Sequence, residues 1–311
     1  MLPPPFHNAL VLSGPTGSGK TALGIELAGR LDAEIISMDS MALYRGMDIG
    51  TAKPTAEERQ RTPHHLVDVL DPWQSSSVAW WLEQAKGCCR DIEGRGKQVL
   101  LVGGTPLYLK ALMFGLFEAP PVDVGLRRRL TEEGRNLGSP ALHARLAQVD
   151  PASAGRLHPN DLRRIVRALE VYEQTGKPLS AWQQQWKLRS LTTNPRAPTP
   201  VLWLDLPRAE LYQRINERVE GMFAHGLVDE VKGLRDLDQP WSREASQALG
   251  YKEVLAYLSG KATLEETIAQ VKTRTRNFAK RQVTWFRHLP GCIPATTELT
   301  RRLWERTMKG P

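Results

Sequence analysis

The sequence has few cysteines, only Cys88, Cys89 and Cys292 in 311 residues. Adjacent cysteines seldom pair with each other, and three cysteines cannot supply the four ligands of a structural zinc site, so free thiols are expected. No uninterrupted apolar run approaches the roughly 20 residues of a membrane span. The opening residues, MLPPPFHNAL, lack the basic and apolar regions of a signal peptide, which predicts a cytoplasmic protein.

Internal repeats and low-complexity tracts are also lacking, so the chain is expected to be an ordinary globular protein. Its 311 residues, 41% of them hydrophobic, can bury a sizeable core and fit one large domain with an insertion or two domains. The net charge of +8 attracts polyanions. A modest basic excess is also a common route to solubility, so the charge alone favours a nucleic-acid partner only weakly.

Four short apolar runs are bounded by turn or capping residues, as is typical of strands buried on both faces of a parallel sheet. They cover residues 10–13, 34–37, 99–102 and 201–206. Helical stretches, such as residues 20–31 and 77–93, lie between them. This alternation predicts a doubly wound α/β core built on a parallel sheet.

The long region before the fourth run contains no convincing strand. Its sequence is charged and helical in character, with breaks rich in Pro and Asn such as HPND and TTNPRAP. We therefore expect a mostly helical insertion domain at residues 119–199, within a core domain formed by residues 1–118 and 200–311. After residue 206 the chain is expected to be helical almost to its end.

Residues 14–21 read GPTGSGKT and match the phosphate-loop pattern G-x-x-x-x-G-K-[ST] directly after a strand and before a helix. That context predicts a P-loop NTPase-like fold. Backbone N–H groups, the helix dipole and Lys20 bind phosphate oxygens, and Thr21 can hold Mg²⁺. The residues expected to bind a diphosphate group are Gly14, Pro15, Thr16, Gly17, Ser18, Gly19, Lys20 and Thr21. The pattern leaves open whether the ligand is ATP, GTP or another molecule.

Polar residues follow three of the predicted strands, at the sheet edge where ligands of open parallel sheets bind. Asp39 follows the second strand, Thr105 follows the third, and a helix with Arg214 and Arg218 follows the fourth. Asp39 can be a general base, a Mg²⁺ ligand or only a helix N-cap. Thr105 can be only a turn residue, and the two arginines can be a solvated stripe.

The sequence resembles the tRNA dimethylallyltransferases, also called isopentenyl-tRNA transferases, through an ordered series of segments. The segments are GPTGSGKT, DSMALYRGMDIGTAKP, HHLVDVLDP, GGTPLYLKAL, HPNDLRRIVRALEVYEQTGKPLS, ALGYKE and TRTRNFAKRQVTWFR. A generic phosphate loop explains only the first of them. The departures from the family pattern, at Pro106 and at Ala42-Leu43, involve no proposed catalytic atom. The sequence has only three cysteines and ends soon after the basic segment. In this it resembles the bacterial form of the family, which lacks the zinc finger of some eukaryotic relatives.

The resemblance implies transfer of the dimethylallyl group from dimethylallyl diphosphate to N6 of adenosine 37 in tRNA. It implies that Asp39 is the catalytic base and that Thr105 assists near the reacting centre. Lys20, the loop amides and Arg214 would hold the diphosphate, and Mg²⁺ near Thr21 would offset charge on the leaving group. An aromatic amine is a poor nucleophile, so a base that takes its proton lowers the barrier. A monomer is expected.

Residues 271–289 hold six Lys or Arg and no acid. The spacing of Ile268, Val271, Phe278, Trp285 and Leu289 predicts a basic amphipathic helix with these side chains packed inward. Such a helix can follow an RNA backbone, although a solvated face is the alternative. The resemblance implies contacts with the anticodon stem-loop, and the target adenine is expected to leave its stack. The residues expected to bind tRNA are Asp39, Ser40, Met41, Ala42, Thr105, Arg127, Arg163, Arg164, Ile165, Val166, Arg167, Arg274, Arg276, Lys280 and Arg281.

Two other functions remain open at this stage. A P-loop kinase of a small metabolite or nucleoside would use the same loop, Asp39 and arginine-bearing helix, but it leaves the basic segments unexplained. A non-catalytic RNA-binding P-loop protein would not need the carboxylate of Asp39.

Overall fold

The computed structural model describes residues 2–116, 120–183, 201–237 and 239–308, the last four as backbone only. The chain divides into two compact units, one made of Met1–Met113 with Asn194–Pro311, the other of Phe114–Thr193. The second unit overlaps the insertion expected at residues 119–199.

The first unit contains a parallel sheet that has six strands among the described residues, in the order β3-β2-β4-β1-β5-β6. The strands are β1 Leu10–Ser13, β2 Ala33–Ser37, β3 His64–His65, β4 Gln98–Gly103, β5 Val201–Leu204 and β6 Cys292–Ala295. The predicted doubly wound fold is confirmed, and all four predicted strands are present.

Two strands were missed. β3 has only two residues, too few for any periodicity, and β6 contains Pro294. Proline removes a ladder donor and is tolerated at a sheet edge, where β6 lies beside β5. The expectation of helix almost to the chain end was therefore wrong at β6.

Five helices belong to the half of the first unit that surrounds the phosphate loop and to its C-terminal end, and some of them begin at side-chain caps. They are α1 Lys20–Arg30, α2 Ala56–Arg61, α3 Val78–Gly94, α4 Pro106–Phe114 and α14 Thr297–Met308. Ser77 caps α3 by accepting the N–H of Trp80 at 3.1 Å. Leu23 and Leu27, one turn apart on α1, are buried against Leu12 of β1 and Trp304 of α14.

Between β5 and β6 the first unit contains four α-helices among the described residues. These helices are α10 Arg208–Ala224, α11 Leu227–Arg235, α12 Tyr251–Leu258 and α13 Leu264–His288, where α13 is the predicted basic helix. Its buried residues are Thr267, Val271, Ala279, Gln282 and Phe286. Trp285 is 39% exposed, so its predicted inward position was wrong. Residues seven apart on a straight α-helix are offset by about 20° around its axis. Side chains that repeat every seven residues therefore rotate away from the buried face.

The second unit is a small helical bundle with its own core. Its helices are α5 Val124–Asn136, α6 Ser139–Val149, α7 Pro151–Ala154, α8 Leu162–Thr175 and α9 Leu179–Trp182. Ile165 and Val166 of α8 are 0% and 3% exposed and pack with Leu130 and Leu146. Their side chains therefore have no surface for the tRNA contacts predicted for them, because the inner face of an amphipathic helix is turned into the bundle.

Candidate active site

The phosphate loop connects β1 to α1 through glycines that no other residue replaces without strain. Gly17 and Gly19 have φ angles of 82° and 85°, and a Cβ on Gly17 would lie 2.9 Å from Ile215 Cγ1. The first helical hydrogen bond of α1 joins Leu23 N–H to the Gly19 carbonyl at 3.2 Å. The N–H groups of Lys20, Thr21 and Ala22, in the first turn, therefore have no helical partner and are available to an anion. Ser18 Oγ is also buried, without a hydrogen-bond partner in the described residues.

Three cations surround this loop. Lys20 lies with its Nζ 3.3 Å from the Pro15 carbonyl. Burial lowers the pKa of Lys20 to about 8, Asp39 opposes this shift, and the charge of Arg218 adds to it. Arg214 reaches the helix start, since a Cβ on Gly19 would lie 3.6 Å from its Nη1, and it pairs with Glu210 at 2.7 Å.

Arg218 was not among the predicted diphosphate-binding residues. Its Nη2 donates to the Thr51 carbonyl at 3.2 Å, while its buried Nε has no partner in the described residues. Burial lowers its pKa and Asp39 raises it. Its position one turn after Arg214 on α10 was the only sequence signal for this cation.

Asp39 follows β2 and is half-buried. Its Oδ1 accepts the N–H of Met41 at 2.8 Å and that of Ala42 at 3.4 Å, so the carboxylate does cap the next turn. The charge of Asp39 raises the pKa of Lys20, so the carboxylate lies within electrostatic range of the loop lysine. Capping and a role in chemistry are therefore compatible for this residue.

Thr105 follows β4 and is joined to the Asp39 segment. Its Oγ1 accepts the N–H of Ser40 at 3.1 Å, and its own N–H donates to the Met38 carbonyl at 3.1 Å. A Cβ on Gly103 would lie 2.4 Å from the carbonyl carbon of Met38, so only glycine permits this approach. The ends of β2 and β4 are locked together beside the phosphate loop.

Gln282 of α13 was missed as a residue of this region. Its Oε1 accepts the N–H of Thr16 at 3.0 Å, and its Nε2 donates to the Gly104 carbonyl at 2.6 Å. The sequence signal was a neutral amide at a helix position one turn before the buried Phe286, within an otherwise basic segment.

Comparison with known proteins places this arrangement in a family. The IPP transferase model matches residues 42–289, and the isopentenyl transferase model matches residues 7–68. A tRNA dimethylallyltransferase of Geobacter metallireducens is 48% identical over 282 residues, covering 89% of each chain. The chain belongs to the tRNA dimethylallyltransferase family.

Other members of the tRNA dimethylallyltransferase family agree in sequence and fold. One from Symbiobacterium thermophilum is 51% identical, covering 89% of this chain and 86% of the relative. The solved tRNA isopentenylpyrophosphate transferase of Bacillus halodurans has a TM-score of 0.68 at 39% identity, covering 97% and 95% of the two chains. The solved structure of a eukaryotic dimethylallyltransferase acting on tRNA has a TM-score of 0.69 at 32% identity, covering 89% of this chain and 69% of the other. These relatives confirm the P-loop NTPase-like fold and do not favour the kinase alternative.

The family segment from Asp39 to Pro54 is held by the half-buried Glu230 and the buried Lys53. Glu230 of α11 accepts the N–H groups of Asp48 and Ile49 at 3.0 and 2.7 Å and the hydroxyl of Tyr251 at 2.6 Å. Lys53 donates to the Tyr44 carbonyl at 2.7 Å and pairs with two aspartates. The segments DSMALYRGMDIGTAKP and ALGYKE therefore meet in one hydrogen-bonded cluster.

Several arginines predicted to bind tRNA have partners within the fold. Arg127 and Arg167 both pair with Glu170, which is 0% exposed. Arg274 pairs with the buried Glu253, and Arg276 donates to Asn216 at 2.6 Å. Arg164 pairs with Asp161 at 2.8 Å.

Three of the predicted cations have neither an ion pair nor a side-chain hydrogen bond in the part of the chain that the structure describes. Arg163, Lys280 and Arg281 are exposed, and the guanidinium of Arg281 lies over the ring of Phe278. By contrast, Ala42 is 5% exposed, which leaves its side chain little surface for a ligand.

A divalent cation fits the loop only together with a phosphate ligand. No cluster of three or more His, Cys, Asp or Glu suited to a metal occurs among the described residues. Mg²⁺ commonly takes one or two protein ligands plus substrate phosphates and water. Thr21, half-buried in the first turn of α1, carries a hydroxyl of the kind that can serve as such a ligand. In the described part of the chain, no helix is sufficiently long and apolar to span a membrane.

Proposed function

We propose that this protein transfers the dimethylallyl group of dimethylallyl diphosphate to N6 of adenosine 37 in the anticodon stem-loop of tRNA. The observation that carries the proposal is the position of Asp39: one carboxylate, held through Oδ1 by Met41 N–H, lies in electrostatic range of Lys20. A proton acceptor and an anion site thus occupy the same sheet edge.

Binding of the diphosphate falls to the phosphate loop and its cations. The free N–H groups at the start of α1 and Lys20 lie where a leaving group gains charge, and Arg214 and Arg218 of α10 add charge from the side. Donors fixed before the reaction stabilise that charge without reorganising. Mg²⁺ bound through Thr21 would supply further charge neutralisation of the diphosphate.

The chemical step balances in one displacement. The lone pair of N6 forms a bond to C1 of the prenyl group while the C1–O bond breaks, and its electron pair leaves with the diphosphate. The N6 proton passes to the carboxylate of Asp39. Thr105 keeps the carboxylate segment in place through Ser40 N–H. The allylic carbon tolerates developing positive charge, so neutralising the leaving group supplies much of the catalysis.

RNA binding is supported by the exposed cations Lys280 and Arg281 on α13 and, separately, by Arg163 of the helical unit. Flipping of the adenine from its stack is needed for N6 to meet C1. All proposed catalytic groups belong to one chain, so a monomer suffices. We propose action in the cytoplasm, where tRNA is found.

The test is incubation of the protein with dimethylallyl diphosphate, Mg²⁺ and unmodified tRNA, followed by mass spectrometry of the nucleosides. The expected result is one dimethylallyl group on adenosine 37. A tRNA with guanosine at position 37 is the matched control and should remain unmodified. Formation of ADP from ATP and a small acceptor, without RNA modification, would contradict the proposal and support the kinase.

A further inference from the structure

Gln282 is a buried amide on a helix whose exposed face is basic. It is 3% exposed and lies on α13 directly after Lys280 and Arg281, which are exposed. Burial of an uncharged amide is tolerated only when its donor and acceptor are both used. Gln282 satisfies this condition with two backbone groups from different loops.

The two loops are those that frame the proposed reaction. Thr16, in the phosphate loop, donates its N–H to Gln282 Oε1 at 3.0 Å. Gly104, which precedes Thr105, accepts from Gln282 Nε2 at 2.6 Å. One partner requires an acceptor and the other a donor, so the orientation of the amide is determined by its contacts.

The packing around Gly104 shows how closely these groups approach. A Cβ built on Gly104 would lie 2.8 Å from Gln282 Nε2, 2.9 Å from the Gly14 carbonyl and 3.3 Å from Lys20 Cε. Gly104 therefore brings the amide, the phosphate loop and the loop lysine to one point. A shift of the amide would displace the loop lysine and Thr105 relative to each other.

We propose that Gln282 is a positioning residue that holds the phosphate loop in register with the Gly104-Thr105 segment, and that it thereby sets the distance between bound diphosphate and the Asp39 side of the site. The inference rests on the proposed function for its catalytic consequence. In this proposal Gln282 acts through the two backbone groups that it binds, and not through a contact with the diphosphate. Because α13 also carries Lys280 and Arg281, the same helix presents cations to RNA on one face and supports the phosphate loop with the other.

Gln282→Met is the first test variant, because it keeps the length of the side chain and removes both hydrogen bonds. Small displacements of a reacting group lower rates steeply, about 100-fold for 1 Å. We expect kcat/KM for dimethylallyl diphosphate to fall about tenfold or more, while the Kd for tRNA stays within about twofold. Gln270→Met, at an exposed position of the same helix, is the matched control and should behave as wild type.

Gln282→Glu gives a readout that a purely structural role would not change. A protonated carboxyl has an O–H donor for Gly104 and an acceptor for Thr16, whereas an ionised carboxylate lacks the donor. The nearby cation Lys20 favours ionisation and burial opposes it. The ratio of the variant's kcat/KM to that of wild type should therefore rise as the pH is lowered. A ratio that falls as the pH is lowered, or one that stays at 1 while Gln282→Met also keeps the kcat/KM of wild type, would overturn the proposal.

Binding of inorganic pyrophosphate, measured by calorimetry, separates this inference from the proposed function. A folded Gln282→Met variant that binds pyrophosphate more weakly than wild type supports positioning, even if tRNA is not prenylated. The Gln270→Met control should keep the pyrophosphate affinity and the melting temperature of wild type. Wild-type pyrophosphate affinity and wild-type kcat/KM in Gln282→Met would overturn it. If that variant does not fold, the Gln282→Glu pH profile decides.

Discussion

The hydroxyl of Thr105 accepts the backbone N–H of Ser40 at 3.1 Å, which joins the end of β4 to the residue after Asp39. The position of the proposed base thus depends on a side chain from a neighbouring strand. Since Gly103 and Met38 are also in direct contact, the two strand ends form one rigid edge.

Replacing Thr105 by valine should lower kcat without abolishing diphosphate binding. Valine keeps the shape of threonine but leaves the N–H of Ser40 unpaired, at a cost of about 1–3 kcal/mol. Thr105→Ser, which keeps the hydroxyl, is the control and should retain most activity. Steady-state kinetics measures both variants, and equal kcat for valine and threonine would show that the bond does not position Asp39.

Asp39→Asn should reduce turnover about 100-fold or more, the usual contribution of a general base. The asparagine Oδ1 still accepts the N–H of Met41, so the cap is preserved and only proton acceptance is lost. Single-turnover kinetics with pre-bound diphosphate measures the effect. Asp39→Ala loses the cap as well, and a difference between the two variants reports the capping role. Wild-type turnover in Asp39→Asn would exclude Asp39 as the base.

Affinity for the diphosphate should fall as the pH rises above about 8. Burial lowers the pKa of Lys20 to about 8, so the free protein loses this charge above that pH. A bound diphosphate stabilises the ammonium and raises its pKa, so binding must then take up a proton, and affinity falls by up to about tenfold per pH unit. Calorimetric Kd values across the alkaline range measure this slope. Lys20→Ala should bind weakly with no such slope, and a slope that persists in it would assign the titration to another group.

Glu230→Gln should destabilise the fold by about 1–3 kcal/mol, because the carboxylate accepts charge-assisted hydrogen bonds from three backbone N–H groups and from Tyr251. Urea unfolding of the variant beside wild type measures the loss. Tyr251→Phe removes one of these hydrogen bonds and should lower the free energy of unfolding by less than Glu230→Gln does. A wild-type free energy of unfolding in Glu230→Gln would show that the cluster does not stabilise the Asp39–Pro54 segment.

Arg281→Ala should weaken tRNA binding and reduce the slope of log affinity against log salt by about 1, as expected for one lost phosphate contact. The comparison variant is Arg274→Ala on the same helix. Arg274 pairs with the buried Glu253, so its loss should lower stability more than the salt slope. Filter binding over a salt series distinguishes the two, and an unchanged slope in Arg281→Ala would remove Arg281 from the RNA surface.

The sequence by itself determined four strands of the parallel sheet, the phosphate loop and the positions of Asp39 and Thr105 at strand ends. These features are local: a buried strand, a glycine pattern and a cap each depend on a few consecutive residues. Tertiary structure alone decided that Gln282 contacts Thr16, which lies 266 residues away in the sequence. It also decided that Arg218 lies within electrostatic range of Lys20, and that Arg127 and Arg167 pair with Glu170. Such pairings depend on how distant elements pack, and the helical repeat of α13 places Gln282 inward and Trp285 outward only once its neighbours are present.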